Sequence, residues 1–344
     1  MDPRFLAPAL DVPVRPGARP SFSVMIAAYQ AAATIGEALD SVFAQTEPPQ
    51  EVIVVDDGST DDLDGALAPY AGRIRLIRQE NAGVAAARNT ALRAATGEFV
   101  VILDADDVFA PGRLEALGDL AVARPDLDIL TTDAYMTLGG RVVRRYYDQG
   151  LNFEVDSQRE RLLRGNFVYP LAAVRRERAL VAGAFDEHMP PGEDWDMWLR
   201  LVLDGSRVGL VNEPLAEYRL SESSISADAR RMARGCMTVL EKHRADPRLT
   251  DRERAVLEAA YADYARELER EDARAALAAC EQHARRKSLR IVLGRGHRPA
   301  TRAKALLAAV APRAARRRME SSMEQYFSGG FTVSKYPSGR SRNR

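Results

Sequence analysis

The run Phe99-Val100-Val101-Ile102-Leu103-Asp104-Ala105-Asp106-Asp107 decides the reading of this chain. Five consecutive apolar residues, three of them β-branched, predict a strand buried on both faces. That strand releases three carboxylates together at its carboxyl end. Like charges this close repel, and packing alone gives little reason to keep them. Two readings follow. The acids form a solvated turn, or a divalent cation such as Mg2+ or Mn2+, which prefers oxygen ligands, removes the repulsion.

Strands and helices alternate on either side of this run. Phe22–Ala28, Glu51–Val55, Ile74–Ile77 and Leu127–Thr131 read as strands. Helices are predicted from Thr34, where Thr34-Ile35-Gly36-Glu37 has the capping-box pattern, over Val84–Ala95, and from Pro111, where proline suits a first turn. This alternation with short connections predicts an α/β fold with a mostly parallel sheet flanked by helices. Ligands in such sheets bind beyond the carboxyl ends of the strands. Tyr29-Gln30, Asp56-Asp57 and Asp104–Asp107 should therefore meet along one rim, which favours function over a solvated turn. Farther on, Arg141–Tyr169 reads as short antiparallel strands and loops. Glu193–Leu203 is a helix with Trp195, Trp198, Leu199 and Val202 on one face, and Val208–Val211 is a returning strand. From Asp228 to about Arg290 the pattern is helical.

Composition excludes several classes. The 344 residues allow one large domain and a smaller appendage, and 46% apolar with 28% charged residues is ordinary for a soluble globular protein. Lys+Arg and Asp+Glu both number 49, so no nucleic-acid partner is expected. Cys236 and Cys280 sit in helical sequence without metal-ligand neighbours, which predicts no disulfide framework and a reducing compartment. The Pro-rich tail 1–20 has no signal-peptide core. No run approaches the roughly 18 apolar residues of a membrane span, so a cytoplasmic protein is expected.

The rim motifs narrow the chemistry. No GxGxxG follows the first strand, no GxxxxGK[ST] is present, and no Ser-His-Asp arrangement stands out. Asp57 could accept hydrogen bonds from a nucleobase or a ribose; alternatively Asp56–Thr60 is a strand-to-helix turn with a capping hydroxyl. Arg88, early in its helix, is either a phosphate contact or a surface arginine. Glu193-Asp194-Trp195-Asp196 opens a helix after Pro190-Pro191-Gly192. Acids there serve as caps and dipole partners. Kept ionised at neutral pH by the helix-end amides, one of them could instead act as a general base. Trp195 is either a core residue or a ring stacked on a sugar.

Together these residues resemble the family 2 glycosyltransferases, inverting enzymes of GT-A fold that use nucleotide sugars. The resemblance covers Ser21 to Ser226 and rests on Ser23–Tyr29, Val54–Ser59, Asn81–Gly83 with Ala87–Asn89, Leu103–Asp107 and Gly183–Glu187 with Glu193–Trp195. It implies a donor site at Ala27, Tyr29, Asp57, Arg88 and Asp104, with Asp57 against the base and Asp104 near the ribose or donor sugar. Asp106 would hold a Mn2+ or Mg2+ ion bridging the diphosphate, and Asp194 would be the catalytic base, with Glu193 and Trp195 on the acceptor side. Asp107 receives no role. Many relatives carry a His shortly after a Tyr-Arg pair; here Tyr218-Arg219-Leu220-Ser221 puts Ser221 at that place. The QxxRW motif of processive synthases is absent, so one sugar per encounter is expected.

The expected organisation is a tail at 1–20, a GT-A domain at 21–226, a helical extension at 227–290 and a basic segment at 291–344. Between Glu281 and Glu320 stand twelve Lys or Arg residues and no acid. Within that stretch a helix over Ala303–Met319 would be interrupted or bent at Pro312. Residues 285–318 are either a peripheral contact with an anionic membrane surface, suiting a lipid-linked acceptor, or a solvated helix packed on the catalytic domain. The expected partners are thus a nucleotide-sugar donor and a sugar or lipid-linked acceptor. Two other functions fit the strand–helix plan. A nucleotidyltransferase needs a Gly-rich, Arg-containing loop after the first strand, where Ala27-Ala28-Tyr29-Gln30 stands. A binding protein without transferase activity need not retain Asp57, Asp104, Asp106 and Asp194.

Overall fold

A computed structural model describes residues 19–147, 158–189, 191–221, 228–279, 283–294 and 296–316. Most of the Pro-rich tail, Cys280 and the basic segment past 316 lie outside the described residues. The first half is a run of strands and helices: β1 (Phe22–Ala28), α1 (Ile35–Phe43), β2 (Glu51–Asp56), α2 (Leu63–Leu67), β3 (Arg75–Arg78), α3 (Val84–Ala94), β4 (Phe99–Asp104), β5 (Val108–Phe109) and α4 (Arg113–Ala123). There follow β6 (Ile129–Leu138), β7 (Arg141–Arg145), α5 (Gln158–Arg164), β8 (Ala173–Arg175), α6 (Arg176–Val181), α7 (Glu193–Leu203) and β9 (Val208–Leu220). Then come α8 (Ala229–His243), α9 (Asp251–Ala278), α10 (Ala284–Leu293) and α11 (Pro299–Val310).

One sheet holds all these strands in the order β3-β2-β1-β4-β8-β6-β9-β5, with β7 paired to β6. From β3 to β4 it is parallel. The central strands are mostly apolar because helices cover both faces: Val24, Ile26, Val54, Val100 and Leu103 are fully buried. Each such side chain contributes about 1.5–3 kcal/mol relative to exposure. The chain passes from β1 out to β3 and returns to β4 on the other side of β1. This reversal opens a crevice beyond the carboxyl ends of β1 and β4, where the register sets Ala27 beside Asp104 and Ala28 beside Asp56.

Beyond β4 the sheet turns mixed. β8 enters antiparallel between β4 and β6, while β6 and β9 are parallel. Only three residues long, β8 carries too little pattern to be read from sequence. The Thr34 capping box does not form; the Thr34 hydroxyl donates to the Ala31 carbonyl instead. Pro111 precedes α4 rather than opening it, since Gly112 is the N-cap. α11 ends at Val310, just before Pro312, in keeping with the interruption expected there. Residue 226 does not separate two cores: Val239, Leu240, Leu249 and Leu257 of the helical region join the same apolar cluster as Trp195, Trp198 and Phe185. Among the described residues, no helix is long and apolar enough to cross a membrane.

Candidate active site

Arg88 organises the rim. It lies in α3, whose buried Ala85, Ala86, Ala87 and Ala91 let that helix sit close against β1 and β2. Arg88 is 6% exposed, and its guanidinium donates in two directions, to Asp104 Oδ1 at 2.7 Å and to Glu193 Oε1 at 2.7 Å. One buried cation therefore ties the end of β4 to the start of α7. Burial would lower the Arg88 pKa, but the charges of Asp104 and Glu193 outweigh it and raise it further. With both arms occupied, Arg88 is an internal strut here and not the free phosphate contact expected from its place in the helix.

The start of α7 is fixed from several sides. Gly192 precedes it at φ 121°, a conformation that disfavours any side chain. Gly235 of α8 lies so close that an added Cβ would stand 1.9 Å from the Pro191 carbonyl oxygen. Trp195 is 1% exposed and its indole donates to the Leu162 carbonyl at 2.8 Å. Asp196, fully buried, accepts from Arg200 at 2.9 Å and Lys242 at 3.0 Å, with His243 Nε2 at 3.0 Å. Burial alone would raise the Asp196 acid, but His243, Arg200 and Lys242 hold it down at about 2.

Asp194 stands at the opposite extreme. Burial, and next the Glu193 charge, push its carboxyl up to about 7, against the pull of Arg88, the Trp195 N–H and Asn166. This corrects the expectation that helix-end amides would keep it ionised at neutral pH, since it is about half protonated there. Asn166 is oriented by accepting from the Val168 N–H at 3.0 Å, and its amide then donates to Asp194 Oδ2 at 3.0 Å. Neighbouring acids in one helix turn thus have pKa values pushed apart, as acid–base sites require. Asn166→Ala removes a donor to the ionised form. Its pH–rate profile should move to higher pH, with activity near pH 7 falling about tenfold and partial recovery in alkali. An unmoved profile would show that Asn166 does not tune this carboxylate.

The acidic turn divides its labour. Asp106 is exposed as a residue, yet partial withdrawal of its carboxyl from water and the nearby Asp104 charge raise its pKa. A hard cation bound by one or two carboxylates and completed by substrate oxygens would relieve that strain. Among the described residues, no group of three or more His, Cys, Asp or Glu is placed to hold a metal by itself. Asp107, left without a role by the sequence, is 1% exposed and accepts from the Arg219 N–H at 2.8 Å, latching β9 to the turn. Burial raises its acid well above the ordinary range, and Asp104 adds to this. Beneath the turn lies Arg113, 0% exposed, with Phe109 and Tyr169 rings against its guanidinium.

Comparison with known proteins gives this geometry its setting. Residues 23–180 match the family described as Glycosyl transferase family 2. TuaG of Bacillus subtilis (strain 168), named for teichuronic acid biosynthesis as a glycosyltransferase, is 30% identical over 214 residues, which are 61% of this chain and 83% of TuaG. The chain belongs to glycosyl transferase family 2. The succinoglycan biosynthesis protein ExoU of Rhizobium meliloti (strain 1021) is 32% identical over 202 residues, but these are 55% of this chain and only 59% of ExoU. The mannosyltransferase PcManGT of Pyrobaculum calidifontis, solved with GDP-Man and Mn2+, superposes with a TM-score of 0.58 at 25% identity, covering 94% of this chain and 89% of that one. The fold is thus of GT-A type, and the chain is a glycosyltransferase.

Within this family 2 chain the remaining expected residues fall in three groups. Ala27 pairs in register with Asp104 near the end of β1, and Tyr29, just past that end, is 53% exposed. Asp57 is 3% exposed and accepts from Gln79 Nε2, the Ala82 N–H and the Gly83 N–H at 2.8–3.0 Å. It holds the 79–83 loop, which Gly58 at φ 75° lets approach closely. Trp195 departs from the acceptor-side expectation: its ring is sealed in the core beside Tyr264 and cannot stack on a sugar in this structure. Glu193 is occupied by Arg88. Sequence reading missed Asn166, Asp196 and His243, whose partners lie 28 and 47 residues away. Burial pushes the Cys236 thiol up to about 12, away from the thiolate form that reacts.

Proposed function

We propose that this glycosyltransferase moves one sugar from a nucleoside-diphosphate sugar to an acceptor hydroxyl by a single displacement that inverts the anomeric centre. The observation that carries the reading is the Arg88 strut, which ties Asp104, at the head of the acidic turn, to Glu193, whose neighbour Asp194 is a carboxyl poised near neutrality. Asp194 takes the proton of the acceptor hydroxyl as its oxygen attacks the anomeric carbon. Asp104 and the loop anchored by Asp57 orient the donor, so much of the rate comes from positioning. Asp106 would hold a Mg2+ or Mn2+ ion, which when bound neutralises charge growing on the leaving diphosphate. The names of TuaG and ExoU support a place in bacterial polysaccharide synthesis, with a sugar or lipid-linked sugar as acceptor.

Purified chain assayed against a panel of UDP- and GDP-sugars should turn over at least one donor, with chelator abolishing and Mn2+ or Mg2+ restoring the activity. Asp106→Ala should lose at least about 100-fold, by analogy with removing one preorganised charge-stabilising group. Full activity in Asp106→Ala, or indifference to chelator, would contradict the metal role.

A further inference from the structure

Among the described residues, exposed large apolar side chains are most numerous on two neighbouring helices. α10 and α11 carry Leu289, Leu293, Leu306 and Val310, exposed by 43%, 77%, 48% and 71%, whereas no other described element exposes more than one. Each pair is spaced i, i+4 and so shares a helix face. The other faces are already used, since Ala284, Ser288, Ile291, Ala305, Ala308 and Ala309 are buried. Arg302 Nε donates to the Val292 carbonyl at 2.7 Å, setting the start of the row Arg302, Leu306, Val310 against the end of α10. Arg285, Arg286 and Arg290 are exposed on α10, each three or four residues from Leu289 or Leu293, Arg298 is exposed just before α11, and no acid occurs between Glu281 and Glu320. Of the acids of the adjoining α9, Asp263 and Glu271 pair with its own Arg266 and Arg274, Asp272 with Arg230 and Arg234 of α8, and Glu269 with His297.

We infer that α10 and α11 form a docking surface for an anionic lipid bilayer. Leucine and valine tips enter the boundary between headgroups and acyl chains, and the arginines meet lipid phosphates. A second copy of the chain fits poorly, because two acid-free arginine patches would face each other. Nucleic acid fits poorly as well: the exposed apolar groups are aliphatic and offer no ring for base stacking. Nothing in this inference depends on the transfer reaction.

Flotation of the chain with vesicles tests it. Binding is expected to phosphatidylcholine vesicles containing phosphatidylglycerol, weakening with salt, and not to phosphatidylcholine alone. Arg286→Glu with Arg290→Glu should weaken binding at least about 20-fold. Leu293→Ser with Val310→Ser should weaken it about tenfold while leaving the melting temperature and donor turnover unchanged. Equal flotation with neutral vesicles, unchanged flotation of both variants, release by duplex DNA at stoichiometric amounts, or a dimer that forms through this patch would each overturn the inference. Flotation by a chain that turns over no donor would leave it standing and strike only the proposed reaction.

Discussion

Asp194→Asn will transfer sugar at least about 100-fold more slowly than the parent chain, with donor affinity unchanged. The substitution keeps the shape of the side chain and one oxygen, enough to accept from either Asn166 or the Trp195 N–H, which bond different oxygens in the parent. It removes the capacity to take a proton and costs one of these two bonds. In the parent chain the rate should rise with pH through about 7, as the Asp194 carboxyl loses its proton, and the variant should lack that limb. Stability supplies an independent reading. A carboxyl whose folded pKa is raised stabilises the fold while it is protonated, and that contribution falls away as pH rises from the ordinary Asp range through about 7. The Asn variant has no such loss. Its melting temperature should therefore gain on the parent between about pH 5 and pH 8. Calorimetry at the two pH values checks this, and a constant difference would mean that Asp194 is not buried and perturbed as described.

Arg88→Met should be the most damaging single change at the site. It leaves Asp104 and Glu193 facing each other without their shared cation, and removing one partner of a buried pair costs about 3–5 kcal/mol. Because Arg88 also pulls the Asp194 carboxyl down, its loss should push the pH–rate limb upward. Arg88→Lys separates charge from geometry. Lysine keeps the positive charge but lacks the two-armed fork that reaches both carboxylates at 2.7 Å. Transfer by the Lys variant should fall about 100-fold, as expected for a misplacement of about 1 Å, while its melting temperature stays closer to the parent than that of the Met variant. Equal melting temperatures for the Lys and Met variants would assign the stabilisation to shape rather than charge.

Local pattern made much of the molecule readable. The buried strand before Asp104, the helix at Glu193–Leu203 with its two tryptophans inward, and the meeting of three strand ends on one rim were all legible. Their signals are periodicity and strand-end polarity, which sit within a few residues of one another. What sequence did not disclose was which polar groups spend their hydrogen bonds inside the protein. Arg88 reads as a ligand for phosphate until its partners, 16 and 105 residues away, are seen to occupy both arms. Asp57 similarly resembles a free carboxylate until the 79–83 loop closes on it. The raised pKa of Asp194 depends on burial by elements that meet only in three dimensions, so the local helix-dipole argument gave the wrong sign.

The central claim is a single displacement in which Asp194 activates the acceptor. Its most direct test is the anomeric configuration of the first-formed product, followed by proton NMR from a donor of known configuration before mutarotation or further transfer intervenes. An α-linked nucleotide sugar should give a β-linked product. An α-linked product would require a second displacement or a front-face path, and would contradict the account.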